Sequence, residues 1–222
     1  MSYGGTTAHT FADGLPALVQ NAVQVARSVG FEESCLPAQG RLLALLAAGV
    51  GDGVIGETGT GCGVGLAWMA DAAAPGARLV SVDRDEERVS LARAVFAPLN
   101  RPRVDIVHDE WPALAAFGPF DLLVLDGGGH GKRGDPPIDL QQWVRPGGLV
   151  VIDDITPFDT WPPRHGGDID LARLHWLQHD SLLATEIPLT AEVATIVARY
   201  LGRFSAGPGA APRIRPRRPP SG

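Results

Sequence analysis

Five short apolar runs, separated by helical stretches, constrain the fold of this chain more than any other feature. The runs lie at residues 54–57, 79–83, 104–107, 121–126 and 149–153. They are too continuous for strands with one face in water, and the segments between them carry helical periodicity. Strands that are buried on both faces and joined by helices are typical of a parallel sheet. The pattern predicts an α/β fold, a doubly wound sheet with helices on both faces.

The flanking segments complete the predicted architecture. Apolar runs at 182–187 and 193–200 are joined by a turn too short for a parallel crossover, which indicates an antiparallel hairpin. Helical patterns lie at 15–29, 37–48, 64–73, 86–99, 111–117, 138–144 and 168–178, and a loop rich in Pro and Gly spans 156–167. Predicted domains are an N-terminal helical cap (1–36), a main domain (37–204) and a disordered basic Pro-rich tail (205–222). Helix 15–29 suits a homodimer face or a lid equally well.

Charge and cysteine content exclude several classes of protein. The net charge is −6, although the segment after Ser205 holds four arginines and no acid, so the remaining body is more acidic still. Such a body repels a phosphate backbone, which makes nucleic acid an unlikely partner. The two cysteines, Cys35 and Cys62, cannot form a disulfide framework. No signal peptide and no membrane-spanning run is visible, so we expect no membrane partner and a cytoplasmic location.

A glycine-rich turn follows the first strand. Residues 57–63 read ETGTGCG, and the second strand ends at Asp83 about twenty residues later. The dinucleotide spacing G-x-G-x-x-G is not present, whereas an acid at the end of the second strand can accept both hydroxyls of a ribose. This stretch resembles the cofactor-binding motif of class I S-adenosylmethionine (SAM)-dependent methyltransferases. The resemblance assigns cofactor contacts to Glu57, Gly59, Thr60, Gly61, Gly63, Asp83 and, after the third strand, Asp109.

Later motifs extend the resemblance over roughly residues 37–200. FDLLVLD at 120–126 is similar to the family's fourth strand, and RPGG at 145–148 followed by LVVIDD is similar to its fifth. The resemblance implies a Rossmann-like seven-stranded sheet with an antiparallel last strand, with SAM as cofactor. It also implies methyl transfer to an acceptor.

Three acids stand at the ends of the two central strands: Asp126, Asp153 and Asp154. The pattern resembles the metal-dependent O-methyltransferases of the catechol and caffeoyl-CoA type, which implies a divalent cation such as Mg²⁺ on these residues. This chain has Asp154 where that family has Asn, and Gly129 where it has a lysine. Lys132, the sole lysine of the chain, follows three residues later. Structural pairing of the acids is the alternative to a metal.

The predicted function is SAM-dependent methylation of a small-molecule acceptor, with oxygen favoured as the methylated atom. An acceptor oxygen must lose its proton to a base or bind a cation that lowers its pKa. Candidate catalytic residues are Asp126, His130, Lys132 and Asp154. The alternatives are an N-methyltransferase or RNA-modifying methyltransferase of the same fold, and a non-catalytic SAM-binding protein. A nicotinamide-dependent reductase is disfavoured by the absent dinucleotide motif and the lack of any Tyr-x-x-x-Lys.

Overall fold

A computed structural model describes residues 4–10, 14–132, 134–158 and 160–202 of the chain. The predicted tail, 205–222, lies outside the described residues. The main sheet contains β1 (Val54–Thr58), β2 (Arg78–Asp83), β3 (Arg103–His108), β4 (Phe120–Leu125), β5 (Val144–Ile155), β8 (Leu182–Pro188) and β9 (Ala194–Tyr200). A separate ribbon pairs β6 (Arg164–His165) with β7 (Asp168–Ile169).

The helices are α1 (Gly5–Ala8), α2 (Ala17–Ser28), α3 (Pro37–Ala48), α4 (Val64–Ala72), α5 (Glu86–Phe96), α6 (Leu140–Trp143) and α7 (Leu171–Gln178), with a 3₁₀ helix at Trp111–Phe117. Within the described ranges, none of these helices has the length and apolar character needed to cross a bilayer.

The strand order is β3-β2-β1-β4-β5-β9-β8, and β9 runs antiparallel to both of its neighbours. The doubly wound, Rossmann-like, seven-stranded sheet with an antiparallel last strand is confirmed. The order reverses between β1 and β4, which pair in parallel. In open α/β sheets, ligands bind outside the carboxyl ends of the strands at such a reversal.

Each central strand contributes to two hydrophobic layers. Leu79 belongs to the layer formed with α2, α4 and α5, whereas its neighbour Val80 belongs to the layer with the 3₁₀ helix, α6 and α7. Both side chains are fully buried. Because successive side chains of a strand point to opposite faces, burial of both faces requires an unbroken apolar run. This explains the pattern from which the sheet was predicted.

The apolar face of α2 packs inside the chain. Val19, Ala22, Val23 and Ala26 are fully buried in the same layer as α4 and α5. This face is therefore part of the core and not an exposed lid or dimer surface, and the domain boundary at residue 36 stays a prediction.

Two of the predicted helices lose residues to neighbouring strands. The pattern at 138–144 yields only α6, because Val144 already pairs with Phe120 as the start of β5. The pattern at 168–178 yields helix from Leu171, because β7 takes the first two residues. Asp170 then caps α7 by accepting a hydrogen bond from the backbone N–H of Arg173 at 3.0 Å.

Candidate active site

The glycine-rich turn brings the ends of β1 and β4 into contact. Gly59, Gly61 and Gly63 all have positive φ, at 87°, 52° and 85°. A Cβ on Gly59 would lie 2.6 Å from the backbone nitrogen of Gly127, so only glycine fits where the two backbones meet. The turn therefore lies at the point where the strand order reverses.

Asp83 holds this turn in place. Its Oδ2 accepts a hydrogen bond from the N–H of Gly61 at 2.8 Å, and its Oδ1 accepts one from the N–H of Asp85 at 3.0 Å. A carboxylate accepts about four hydrogen bonds, so acceptor sites remain on both oxygens. Asp83 lines a cleft of about 330 Å³ together with Gly59, Arg84 and Trp111.

Trp111 and Arg84 are site residues that the sequence analysis missed. The Trp111 indole covers Gly128, where an added Cβ would lie 2.4 Å from indole Cδ1. The signal that was available is the run of glycines at 127–129, which leaves room for a large ring. Within the described residues, Glu110 rather than Asp109 lines the cleft, and the exposed Asp109 accepts a hydrogen bond from the Glu110 N–H at 2.8 Å.

Glu57 is a buried acid at the bottom of the site. The Ser81 hydroxyl donates to its Oε2 at 2.6 Å, and the Thr60 hydroxyl lies 2.6 Å from that of Ser81. Burial raises the pKa of Glu57 to about 8, and the nearby Asp126 and Asp83 also raise it, against the effect of the Ser81 hydrogen bond. A carboxyl with this pKa holds its proton at neutral pH unless a cation binds beside it.

A narrow cavity beneath the turn is lined by acids. Glu57, Asp126 and Asp153 line it, together with Glu33 and Cys35 from the segment before α3. Burial raises the pKa of Asp153 to about 6, and Asp126 raises it further. Such a cavity favours a positively charged group. Glu33 and Cys35 belong to no motif, so nothing in the sequence identified them.

Lys132 lies at the end of β5. Its ammonium donates hydrogen bonds to the backbone carbonyl of Asp153 and to that of Asp154, the latter at 2.9 Å. The backbone N–H of Lys132 donates to Nδ1 of His130 at 3.0 Å. The indole N–H of Trp176 donates to the His130 carbonyl at 2.9 Å. His130 is buried, and these contacts position the loop that carries Lys132.

Asp154 lies on the opposite side of the β5 end from Asp153. It is exposed and has a φ of 58°, the one non-glycine residue with positive φ in the described chain. With Lys132, Thr156, His165 and Arg173 it lines a pocket of about 290 Å³, which we call the β5 pocket. An Asp tolerates the left-handed conformation better than most residues do.

The three acids predicted to bind a metal do not converge. Asp126 and Asp153 line the cavity beneath the turn, whereas Asp154 lines the β5 pocket. One Asp153 oxygen accepts the Asp154 N–H at 2.8 Å. Among the described residues, no group of three His, Cys, Asp or Glu side chains is arranged to hold a metal ion. The residues do not fit a three-carboxylate Mg²⁺ site.

A buried arginine supports the outer wall of the β5 pocket. The Arg173 guanidinium donates to the Thr156 carbonyl at 2.5 Å and lies 3.5 Å from Asp170 and 3.7 Å from Glu186. Two carboxylates offset the cost of burying this charge. The Arg173 guanidinium also lies 5.9 Å from the centre of the Phe158 ring, which in turn contacts the ring of Trp161, a residue that is 54% exposed.

Comparison with known proteins agrees with this geometry. Residues 57–155 match the family model of a methyltransferase domain. The O-methyltransferase from Bacillus cereus, solved in complex with SAH, superposes with a TM-score of 0.67 at 20% identity, covering 84% of this chain and 91% of that one. TomG, an O-methyltransferase from Streptomyces achromogenes solved with SAM, gives 0.65 at 20% identity, covering 85% and 91%. Over residues 57–155 the chain is therefore similar to methyltransferase domains, and it shares its fold with these two solved structures.

The sequence is also similar to curated relatives over part of its length. A catechol O-methyltransferase of Mycobacterium tuberculosis is 31% identical over 126 residues, which are 53% of this chain and 54% of the relative. One from Niastella koreensis is 31% identical over 133 residues, covering 55% and 58%. The matched stretch thus spans little more than half the length of these relatives.

Proposed function

We propose that this chain is a class I SAM-dependent methyltransferase, and that it transfers the methyl group of SAM to a hydroxyl oxygen of a small molecule. The observation that carries the proposal is the continuity of two sites at the reversal of strand order. The cleft beside Asp83 and the acid-lined cavity beneath the turn share Gly59 and Glu33 as walls. One ligand with a hydroxyl-bearing end and a cationic end matches this pair of sites.

The residues fit SAM at both ends. The remaining acceptor sites of Asp83 suit the two ribose hydroxyls, and the Trp111 ring suits an adenine face. The acidic cavity suits the positively charged amino acid portion, whose presence would lower the pKa of Glu57. Gly59, Gly61 and Gly63 let the backbone approach the ligand. The role of Asp109 as an adenine contact stays a prediction.

The β5 pocket is the proposed acceptor site. It adjoins the acid-lined cavity across the Asp153–Asp154 peptide, so an acceptor oxygen there can face a methyl group on the cofactor side. Its volume suits a single aromatic ring with small substituents. The acidic body of the protein favours such an acceptor over RNA.

The chemistry requires alignment and a proton acceptor. Bound SAM would supply an electrophilic methyl group. The acceptor oxygen would use one of its electron pairs to bond the methyl carbon, and the electron pair of the breaking carbon–sulfur bond would stay on sulfur, giving S-adenosylhomocysteine. The hydroxyl proton passes to the Asp154 carboxylate, which lines the acceptor pocket. Asp154→Asn keeps a residue that tolerates positive φ but removes the base, so turnover should fall by about 10²–10⁴ with SAM affinity retained.

The test combines binding with turnover. Calorimetry should show binding of SAM and none of NADH. Formation of S-adenosylhomocysteine should then be followed with phenols, catechols, amines and an RNA transcript as acceptors. Turnover with the phenolic compounds supports the proposal. Turnover with the amines alone, or with the RNA alone, would show that the methylated group is not a hydroxyl oxygen of a small molecule. SAM binding without turnover of any acceptor would indicate a binding protein.

Two properties of the whole protein remain predictions. A cytoplasmic location is supported by Cys35 and Cys62, which are both free and buried in the described structure. A homodimer would need a surface other than the buried face of α2. The edge strand β8, where Leu183 is 69% exposed, is one such surface. Light scattering of the purified chain tests the dimer.

A further inference from the structure

We propose that the Lys132 ammonium is the resident cation of the acceptor site, standing where the resemblance places a divalent metal, so that methyl transfer by this chain is independent of metal. The inference deepens the proposed function and rests on it for the identity of the reaction. It follows from three features: the contacts of the ammonium, the rigidity of its loop and the separation of the three acids.

The end of β5 is shaped to bind a cation with its backbone. In an extended strand, successive carbonyls point in opposite directions, so the carbonyl oxygens of two neighbouring residues cannot both accept a hydrogen bond from one ammonium. The left-handed backbone at Asp154, with φ of 58°, breaks this alternation. The carbonyls of Asp153 and Asp154 both accept from Lys132 Nζ. The strained residue thus has a function, which is to turn two oxygens toward one ammonium.

The loop that carries Lys132 is held in one conformation. His130 is buried and accepts two hydrogen bonds. Its Nδ1 accepts from the backbone N–H of Lys132, and its carbonyl accepts from the indole N–H of Trp176. Gly129 and Gly131 adopt φ of 80° and 82°, and a Cβ on Gly129 would lie 2.8 Å from Ile138. A long lysine side chain is normally mobile, so this support keeps the charge in place before an acceptor arrives. His130 is therefore a positioning residue for Lys132.

The position of the charge matches the need of the reaction. Lys132 lines the β5 pocket beside Asp154, and it is close enough to Asp153 to lower the pKa of that carboxyl. An ammonium beside the acceptor oxygen stabilises the negative charge that develops as the proton leaves for Asp154. The cation and the base then face one pocket, whereas Asp126 and Asp153 remain on the cofactor side.

A lysine selects a different class of acceptor from a metal. A divalent ion with open positions can bind two neighbouring hydroxyls at once, whereas an ammonium donates hydrogen bonds singly and carries half the charge. The preferred acceptor should therefore be an acidic phenol, and a second hydroxyl next to the first should bring little advantage. Acceptors with two neighbouring hydroxyls should therefore be methylated no faster than acceptors with one, whereas a metal would favour them.

The first experiment measures metal binding without turnover. The full chain is titrated with Mn²⁺ and free Mn²⁺ is followed by electron paramagnetic resonance, with and without SAM. We expect no stoichiometric binding. One Mn²⁺ bound per chain, and lost in Asp126→Asn or Asp153→Asn, would overturn the proposal. This readout needs no acceptor, so it decides the metal question even if the proposed function fails.

The second experiment measures turnover with a matched pair of acceptors, 4-nitrophenol and 4-nitrocatechol. In the presence of a chelator we expect both to be methylated at similar rates. Lys132→Met should lower kcat by about 10²–10³ with SAM affinity retained, and Lys132→Arg should recover part of the loss. Arg145→Met removes one positive charge at the opposite end of β5 and should change neither value.

The outcomes of this second experiment separate the two proposals. Turnover abolished by chelator, or unaffected by Lys132→Met, would overturn the role of Lys132 while leaving methyl transfer established. SAM binding with no turnover of either compound would count against the proposed function, and the Mn²⁺ titration would still test the cation site. Retained SAM affinity in each variant shows that the protein is folded.

Discussion

At the level of single residues, the Asp83 carboxylate has two roles. We propose that it binds the ribose hydroxyls of SAM, and it also accepts a hydrogen bond from the Gly61 N–H, which holds the glycine-rich turn in place. A substitution at Asp83 should therefore affect binding twice, through lost contacts to the ligand and through a looser turn. Glu57 also has two roles, because it accepts a hydrogen bond from Ser81 and lines the acid-lined cavity.

For Asp83→Ala we expect SAM affinity to fall by at least about tenfold, because charge-assisted hydrogen bonds contribute about 1.5–3 kcal/mol each. We expect a lower melting temperature as well, since the Gly61 and Asp85 N–H groups lose their acceptor. Calorimetry and thermal unfolding measure the two effects. Asp71→Ala, on an exposed position of α4, is the matched control. Unchanged affinity in folded Asp83→Ala would remove the ribose assignment.

Glu57 predicts a pH dependence of stability. Its folded-state pKa of about 8 lies above the ordinary 4.5, so the folded state binds the proton more tightly than the unfolded state does. Ionisation of Glu57 therefore costs stability progressively as the pH rises from about 4.5 to about 8. Glu57→Gln cannot ionise, so its unfolding free energy relative to wild type should increase over this range and then level off.

Urea unfolding of apo wild type and Glu57→Gln across that pH range provides the measurement. Glu87→Gln, at an exposed position in the first turn of α5, removes the same charge away from the cavity. A stability difference for Glu57→Gln that stays constant with pH would contradict the burial argument.

At the level of elements, the site depends on how closely β1 and β4 meet. Gly59 and Gly51 both have positive φ, yet a Cβ on Gly51 would meet nothing within 4 Å, whereas one on Gly59 would meet the backbone of Gly127. Substituting these two glycines therefore distinguishes the free-energy cost of a left-handed backbone, which both variants incur, from the cost of a steric clash with Gly127, which only the Gly59 variant incurs.

We expect Gly51→Ala to lose about 1–2 kcal/mol of stability, the conformational cost alone. Gly59→Ala should lose clearly more and should also lose measurable SAM binding, because either β1 or β4 must shift. Denaturant unfolding and calorimetry test both variants. Equal stability losses would show that the contact between Gly59 and Gly127 relaxes easily.

At the level of the whole molecule, the last strand of the described residues is β9, which ends at the buried Tyr200. The segment after Ser205 has the composition of a disordered tail, with four arginines and no acids. A chain that ends at Ser205 should therefore keep its melting temperature and its SAM affinity. Differential scanning calorimetry checks this expectation, and a large drop in melting temperature would show that the tail contributes to the fold.

Local rules were sufficient for the fold and for the position of the glycine-rich turn. Burial on both faces demands unbroken apolar strands, and a tight turn against another backbone demands glycine, so both leave marks in the sequence itself. Residues 54–57 and 79–83 predicted β1 and β2 to within one residue at either end. The position of Asp83 at the end of β2, beside the turn, was predicted for the same reason, because its distance along the chain from the turn follows from the length of one helix and one strand.

The tertiary structure decided what depends on contacts between distant segments. Asp153 and Asp154 are adjacent in sequence, but their side chains line different cavities. The left-handed backbone at Asp154 also directs both of their carbonyls to Lys132, and no pattern of residue types records that dihedral angle. Lys132 contacts the end of β5 from 22 residues away, and Trp111 lies over Gly128 in the loop that follows β4. Sequence alone determined which segments form the sheet, because periodicity is local. The pairing of charges across the site required the fold, because it depends on distances in space.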